Sequence, residues 1–214
     1  MNRMLPSLAL VAATAVGATA AQDPNHGFLD LRLGYTFLDK SYEATVDDGI
    51  TQDEFDNDWD EQHRAFGLVV YGFPASPAGG FMIGADVTVD YRDDDPRGTA
   101  VDLSYESYGA HAHVGYYLPI GNAFQVELLP FVGFAAAKFE HTIPGNTETS
   151  SNATLIEFGV NLNAILTLGR FQIGGQAGYL RQDSDENLKD GADNSSYDFG
   201  PGNLLFSAMI GVRI

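Results

Sequence analysis

The 214-residue chain has no cysteine, a single tryptophan and only 11 Lys and Arg against 29 Asp and Glu. The missing cysteine rules out a disulfide framework, so the fold must rest on hydrogen bonding and packing. A formal net charge of −18 argues against a nucleic-acid partner, whose phosphates need a basic face. Beyond the N-terminal region, no stretch approaches the roughly 18 consecutive apolar residues of a membrane helix. If such a chain crosses a bilayer, it does so as a closed barrel, the other structure that satisfies every backbone polar group in lipid.

At the N-terminus, Arg3 precedes an apolar run from Leu5 to Val16 and the small-residue end Ala18-Thr19-Ala20. This pattern predicts a secretory signal peptide over residues 1–21, leaving 22–214 as one β-domain. No cysteine follows to carry a lipid anchor.

The clearest pattern lies between Thr154 and Gln182. Ile156, Phe158, Val160, Leu162, Ala164, Leu166 and Leu168 alternate with Glu157, Gly159, Asn161, Asn163, Ile165 and Thr167. After Gly169-Arg170, Phe171, Ile173, Gly175, Ala177 and Tyr179 alternate with Gln172, Gly174, Gln176 and Gly178. Two period-two runs joined by a Gly-X pair predict a hairpin with glycine at positive φ. Pairing Leu168 with Phe171 sets Leu162 opposite Ala177 and Asn163 opposite Gln176, so both faces stay consistent throughout. These strands match the roughly 9–11 residues of a tilted membrane crossing.

The same pattern predicts strands near Phe28–Leu38, His63–Phe73, Phe81–Arg92, Val101–Leu118, from Phe124 onward, and Asn203–Ile214. Together with the hairpin they make eight. The faces of the His63–Phe73 segment are ambiguous, because apolar residues fall on both parities. In the next segment but one the apolar parity shifts between Tyr105 and Tyr108, which predicts a bulge, or the true membrane entry, near Glu106-Ser107. Pro130 predicts a local irregularity.

Connector length and charge are segregated. The connections at 74–80, 119–122 and 169–170 are short and hold no acidic residue. The four longer ones hold nine, three, two and six acidic residues, twenty of the 29. Short turns at one end and long loops at the other are the division found in outer-membrane barrels. The expected fold is therefore all-β: an eight-stranded antiparallel transmembrane β-barrel, an up-and-down meander. A soluble lipocalin-like barrel with an apolar interior is the alternative to weigh.

The signal peptide, the eight alternating strands and the closing Ile210-Gly-Val-Arg-Ile214 resemble the outer membrane β-barrel family that includes OmpA-type and OmpX-type barrels. Ile214 stands where that family usually has an aromatic residue. The resemblance implies residence in a Gram-negative outer membrane among lipid and lipopolysaccharide, and insertion by the barrel-assembly machinery through the C-terminal strand.

Alternation places Asp30, Arg32, Asp86, Asp90, Arg92, Glu127, Glu157 and Arg213 on the lumen side, with Arg64 a further candidate. Charges in a narrow interior must be paired or wet, and eight strands leave room for side chains and little else. His111 and His113 share a face, with Glu127 on the next strand in expected reach. No Ser sits two residues from either His, so a packing or hydrogen-bonding role outweighs a lipid A acyl-chain chemistry of the kind some small outer-membrane barrels perform. Asp53, Glu54, Asp56, Asp58 and Asp60 in the first long connection, and Asp183, Asp185 and Asn187 in the last, offer oxygen ligands to hard divalent cations. Leu188 breaks the calcium-loop pattern. No cofactor is expected, and the preferred role is structural or surface-interacting, ahead of a lipid-modifying enzyme and a narrow channel.

Overall fold

The structure is a computed structural model that describes residues 27–38, 41–47, 52–58, 61–73, 79–94, 102–142, 149–184, 189–190, 193–194, 196–198 and 202–214. The proposed signal segment lies outside them. Eight strands close a barrel: β1 (Phe28–Leu38), β4 (Glu61–Gly72), β5 (Gly80–Asp94), β6 (Asp102–Ile120), β7 (Phe124–Thr142), β8 (Thr149–Leu168), β9 (Phe171–Ser184) and β13 (Asn203–Arg213). Each pairs antiparallel with its neighbours in chain order, and β1 closes the ring by pairing with both β4 and β13. Among the described residues no helix is long and apolar enough to cross a membrane.

The hairpin forms as its sequence dictates. Gly169 takes φ 66°, Leu168 pairs with Phe171, and the ladder runs through Leu162↔Ala177 and Asn163↔Gln176. Gly121, at φ 67°, does the same work in the turn between β6 and β7.

Polarity is inverted relative to a soluble barrel. Phe81, Phe134, Phe171 and Ile210 are 63–72% exposed on the outer wall, whereas Asp30, Asp90, Glu127 and Glu157 inside are 0% exposed. That excludes the lipocalin arrangement: burying these carboxylates while leaving such rings to water would forfeit stability on both faces. Lipid outside the wall removes the penalty. Aromatic residues gather toward both ends of the apolar band, with Phe73, Phe81 and Phe171 at the short-turn end and Phe37, Phe158 and Tyr179 at the other.

Three expectations need correction. No bulge interrupts β6: its ladder with β5 runs unbroken from Gly80↔Tyr117 to Asp94↔Leu103. Tyr105 is buried inside, so the shift in apolar parity marks an aromatic residue in the lumen above the apolar band. Second, the longer connections are not all loop. β2 (Ser41–Asp47) and β3 (Gln52–Asp58) form a hairpin, joined on β2 by β12 (Ser196–Asp198); β10 (Lys189–Asp190) pairs with β11 (Asp193–Asn194). Third, β4 has defined faces, with Arg64, Phe66, Leu68 and Val70 inward. Pro130 behaves as expected, because the β6–β7 ladder lapses between His113↔Phe131 and Tyr116↔Leu128.

The lumen is filled. An apolar cluster of Phe28, Phe66, Leu68, Val70, Met82, Tyr117, Leu129, Ile165 and Met209, drawn from every barrel strand but β9, occupies its short-turn half. A smaller cluster of Phe131, Leu180 and Leu205 lies further toward the long connections, and charged, amide and other polar side chains take much of the remainder. Strands β6, β7 and β8, at 19, 19 and 20 residues, greatly exceed the roughly 9–11 of a bilayer crossing and raise the wall on the long-connection side.

Candidate functional site

Period-two alternation delivers charged side chains to the lumen from β1, β4, β5, β7, β8 and β13 and two histidines from β6, and the ladders decide which of them meet. Near the short turns, Arg32 donates to both Glu127 carboxylate oxygens at 2.6 Å and to Asp30 Oδ2 at 2.6 Å. Asp30, paired across the strand with Arg213, also accepts from that guanidinium at 2.7 and 2.9 Å. Gln125, Asn163 and Gln172 supply the remaining donors to the two carboxylates. The Arg213 guanidinium lies 3.8 Å from the centre of the Phe28 ring, sealing this end against the apolar cluster.

Toward the long connections a second group forms. Arg64 reaches Asp90 at 3.4 Å and Glu157 at 3.2 Å, and Arg92 donates to Asp90 at 2.6 Å. Gln182 bridges Arg92, Glu157 and Tyr105, and Arg92 stacks 4.8 Å from the Tyr105 ring centre.

Between them, His111 Nδ1 lies 2.5 Å from Asp86 Oδ1, His111 Nε2 lies 2.5 Å from Glu157 Oε2, and His113 Nε2 lies 2.8 Å from Asp86 Oδ2. The expectation that Glu127 serves these histidines is overturned: Glu127 is taken by Arg32, and Asp86, directly opposite His111 on the β5–β6 ladder, takes its place. A cavity of about 20 Å³ beside them, lined in part by Thr36, Asp86, His111 and His113, has room for roughly one water.

All eight charged residues expected on the lumen side lie inside; six of them meet one another, Glu157 meets Arg64, and Asp86 meets the two histidines. Sequence reasoning missed Gln125, Asn163, Gln172, Gln182 and Tyr105. Their parity was the available signal, but a neutral amide on an inward position looks like any polar filler until its carboxylate is known.

The acidic positions at the rim fall in three groups. Asp53, Glu54, Asp56 and Asp58 lie on β3 rather than in a loop. Asp183 is exposed near the end of β9. Asp60, Asp185 and Asn187 lie outside the described residues. The backbone register sets Glu43 opposite both Asp56 and Asp198. Among the described residues, no group of three or more His, Asp or Glu is arranged to hold a metal ion. On the outer wall, the Tyr35 hydroxyl meets His63 Nδ1, a pairing that sequence reading did not anticipate.

No family model and no curated protein matches the chain. Solved structures with a similar course include Ail, the attachment invasion locus protein of Yersinia pestis, in complex with the heparin analogue sucrose octasulfate: 13% identity, TM-score 0.44, covering 88% of this chain and 99% of Ail. Neisserial surface protein A gives 13% identity and a TM-score of 0.45, over 86% of this chain and 96% of that one. The N-terminal β-barrel domain of Pseudomonas aeruginosa OprF gives 10% and 0.35, over 88% and 100%.

Proposed function

We propose that this chain is a non-enzymatic outer-membrane barrel that acts at the rim bearing its long connections, while the closed lumen serves as a rigid polar core. The observation that carries this reading is the inverted wall: large apolar side chains outward along every barrel strand, and ion-paired charge within. Such a wall is stable only against hydrocarbon. Residues 1–21 act as the export signal and the closing strand β13 as the mark read by the barrel-assembly machinery. The test is fractionation with gel mobility. Recovery in the outer membrane, with a compact band that shifts on boiling and a mature N-terminus near Gln22, supports the reading; a soluble periplasmic protein refutes it.

The rim is acidic, so it repels polyanions, and a sulfated sugar of the kind held by Ail does not suit it. Like charges opposed across strands are destabilising without a counter-charge. The acidic residues of the long connections, twenty of the 29, favour a second reading, in which Ca²⁺ or Mg²⁺ links the rim to lipopolysaccharide phosphates. Chelation should then speed proteolysis between residues 41 and 58; unchanged cleavage counts against it.

The enzyme alternative fares poorly on geometry. His111 and His113 face the lumen, away from lipid, and their contacts are to carboxylates rather than to a nucleophile. Identical lipid A mass spectra from cells with and without the protein are the expected result, and a gained or lost acyl chain would reinstate the alternative.

A further inference from the structure

Counting charge in the lumen leaves one carboxylate over. Five carboxylates are enclosed there, those of Asp30, Asp86, Asp90, Glu127 and Glu157, against the four guanidinium groups of Arg32, Arg64, Arg92 and Arg213. Asp30, Asp90, Glu127 and Glu157 each have an arginine nitrogen within 3.4 Å. Asp86 has instead the two histidines.

His111 is placed between two oxygens. A neutral imidazole carries one N–H, so one of its nitrogens would turn a lone pair toward a carboxylate; a doubly protonated ring donates at both ends. The fold is cut to allow this bridge. Asp86, His111, Gly133 and Glu157 lie in one register row across β5, β6, β7 and β8, and His111 meets Glu157 over Gly133. A Cβ at Gly133 would stand 2.5 Å from His111 Cδ2 and 2.1 Å from the Ala110 carbonyl oxygen. His113 makes a single such contact, through Nε2, which one N–H satisfies, and among the described residues its Nδ1 has no hydrogen-bond partner.

We propose that the lumen contains a proton-binding site: His111 is held as an imidazolium bridging Asp86 and Glu157, and its proton supplies the fifth cation that makes the interior neutral. The titratable and charged groups facing it are Asp86 from β5, His113 from its own strand and Glu157 from β8, with Arg64 of β4 behind Glu157. From β7 come only Gly133 and the Phe131 ring, edge-on at 5.4 Å. Loss of the proton would leave a lone pair facing a carboxylate and an unbalanced charge in a low-dielectric interior, so the site ties β5, β6 and β8 together across the intervening β7.

The test uses the full barrel, refolded in lipid nanodiscs with ¹⁵N-labelled histidine rings, and a long-range ¹H–¹⁵N correlation at about pH 7.5, where a free imidazole is mostly neutral. One ring should carry protons on both nitrogens and vanish from the spectrum of His111→Gln. An unprotonated nitrogen on the His111 ring would overturn the proposal, including the case in which the proton resides on Glu157. A second measurement guards against a variant that folds badly. His111→Gln should lower the urea midpoint, and His111→Gln combined with Asp86→Asn, which restores neutrality, should regain at least half of that loss. A double variant no more stable than the single one would also sink it.

Discussion

Removing the Arg32 guanidinium tests whether the lumen is held by paired charge. In Arg32→Met, Asp30 keeps Arg213 at 2.7 Å and so retains a counter-ion. Glu127 keeps only the amides of Gln125 and Asn163, at 2.5 and 3.0 Å. The cost is therefore dominated by one stranded, fully buried carboxylate, about 3–5 kcal/mol. At a slope of about 2 kcal/mol per molar urea, the midpoint should fall by about 2 M. Glu127→Gln should cost less, about 1–3 kcal/mol, since Arg32 still has Asp30 at 2.6 Å. The double variant removes both charges and should lie well above Arg32→Met, because exchanging a buried pair for uncharged groups is often close to neutral. Unfolding followed by gel mobility and far-UV circular dichroism in lipid vesicles gives all three midpoints. If Arg32→Met matches the parent, or the double variant is no better than Arg32→Met, the lumen charges contribute little and the reasoning fails.

Four further outcomes follow from the same geometry. Val114→Arg, at a 61% exposed position of the outer wall, should cost about 2–4 kcal/mol in lipid vesicles, whereas a soluble barrel would tolerate it; folding yield and urea midpoint decide. Gly133→Ala should destabilise by about 1–3 kcal/mol, because the new Cβ lands on the Ala110 carbonyl oxygen and the His111 ring. Gly175→Ala, whose Cβ would come no nearer than 3.8 Å to its closest neighbour, should stay within about 0.5 kcal/mol under the same urea titration. Planar-bilayer recordings of the parent should show no resolved conductance, since the cavity beside His113 holds about 20 Å³ and charged side chains fill the lumen on either side of it; steady single-channel steps would contradict a closed core.

The β8–β9 hairpin was legible because a two-residue turn leaves no freedom of register, so every pair could be written from the sequence before any strand was placed. The faces of β4 were not legible, for a physical reason. Lipid demands Val69 and Tyr71 outside, and the apolar cluster around Met82 and Leu129 demands Leu68 and Val70 inside, which erases the alternation. The histidine partners were misassigned because the connection between β5 and β6 is long enough to let the register slip. Nothing in the residues fixes Asp86 opposite His111 until the ladder is built. Glu157 was further out of reach of sequence reasoning: it stands two strands away from His111, and only the missing side chain of Gly133 lets the two touch.

That last contact explains how the barrel stays closed without a conventional core. A soluble domain fixes its interior by apolar packing, whereas here the apolar cluster fills only part of the lumen and much of the large apolar surface faces outward. What fixes the rest is directional. Asp30, Glu127 and Glu157 each have donors on at least two other strands, as Glu127 does from Arg32 on β1 and Asn163 on β8. Such contacts are short-ranged and geometry-bound, so they resist strand slippage, the displacement that would open a pore. Among the described residues they also leave the lumen with no unpaired Asp, Glu or Arg.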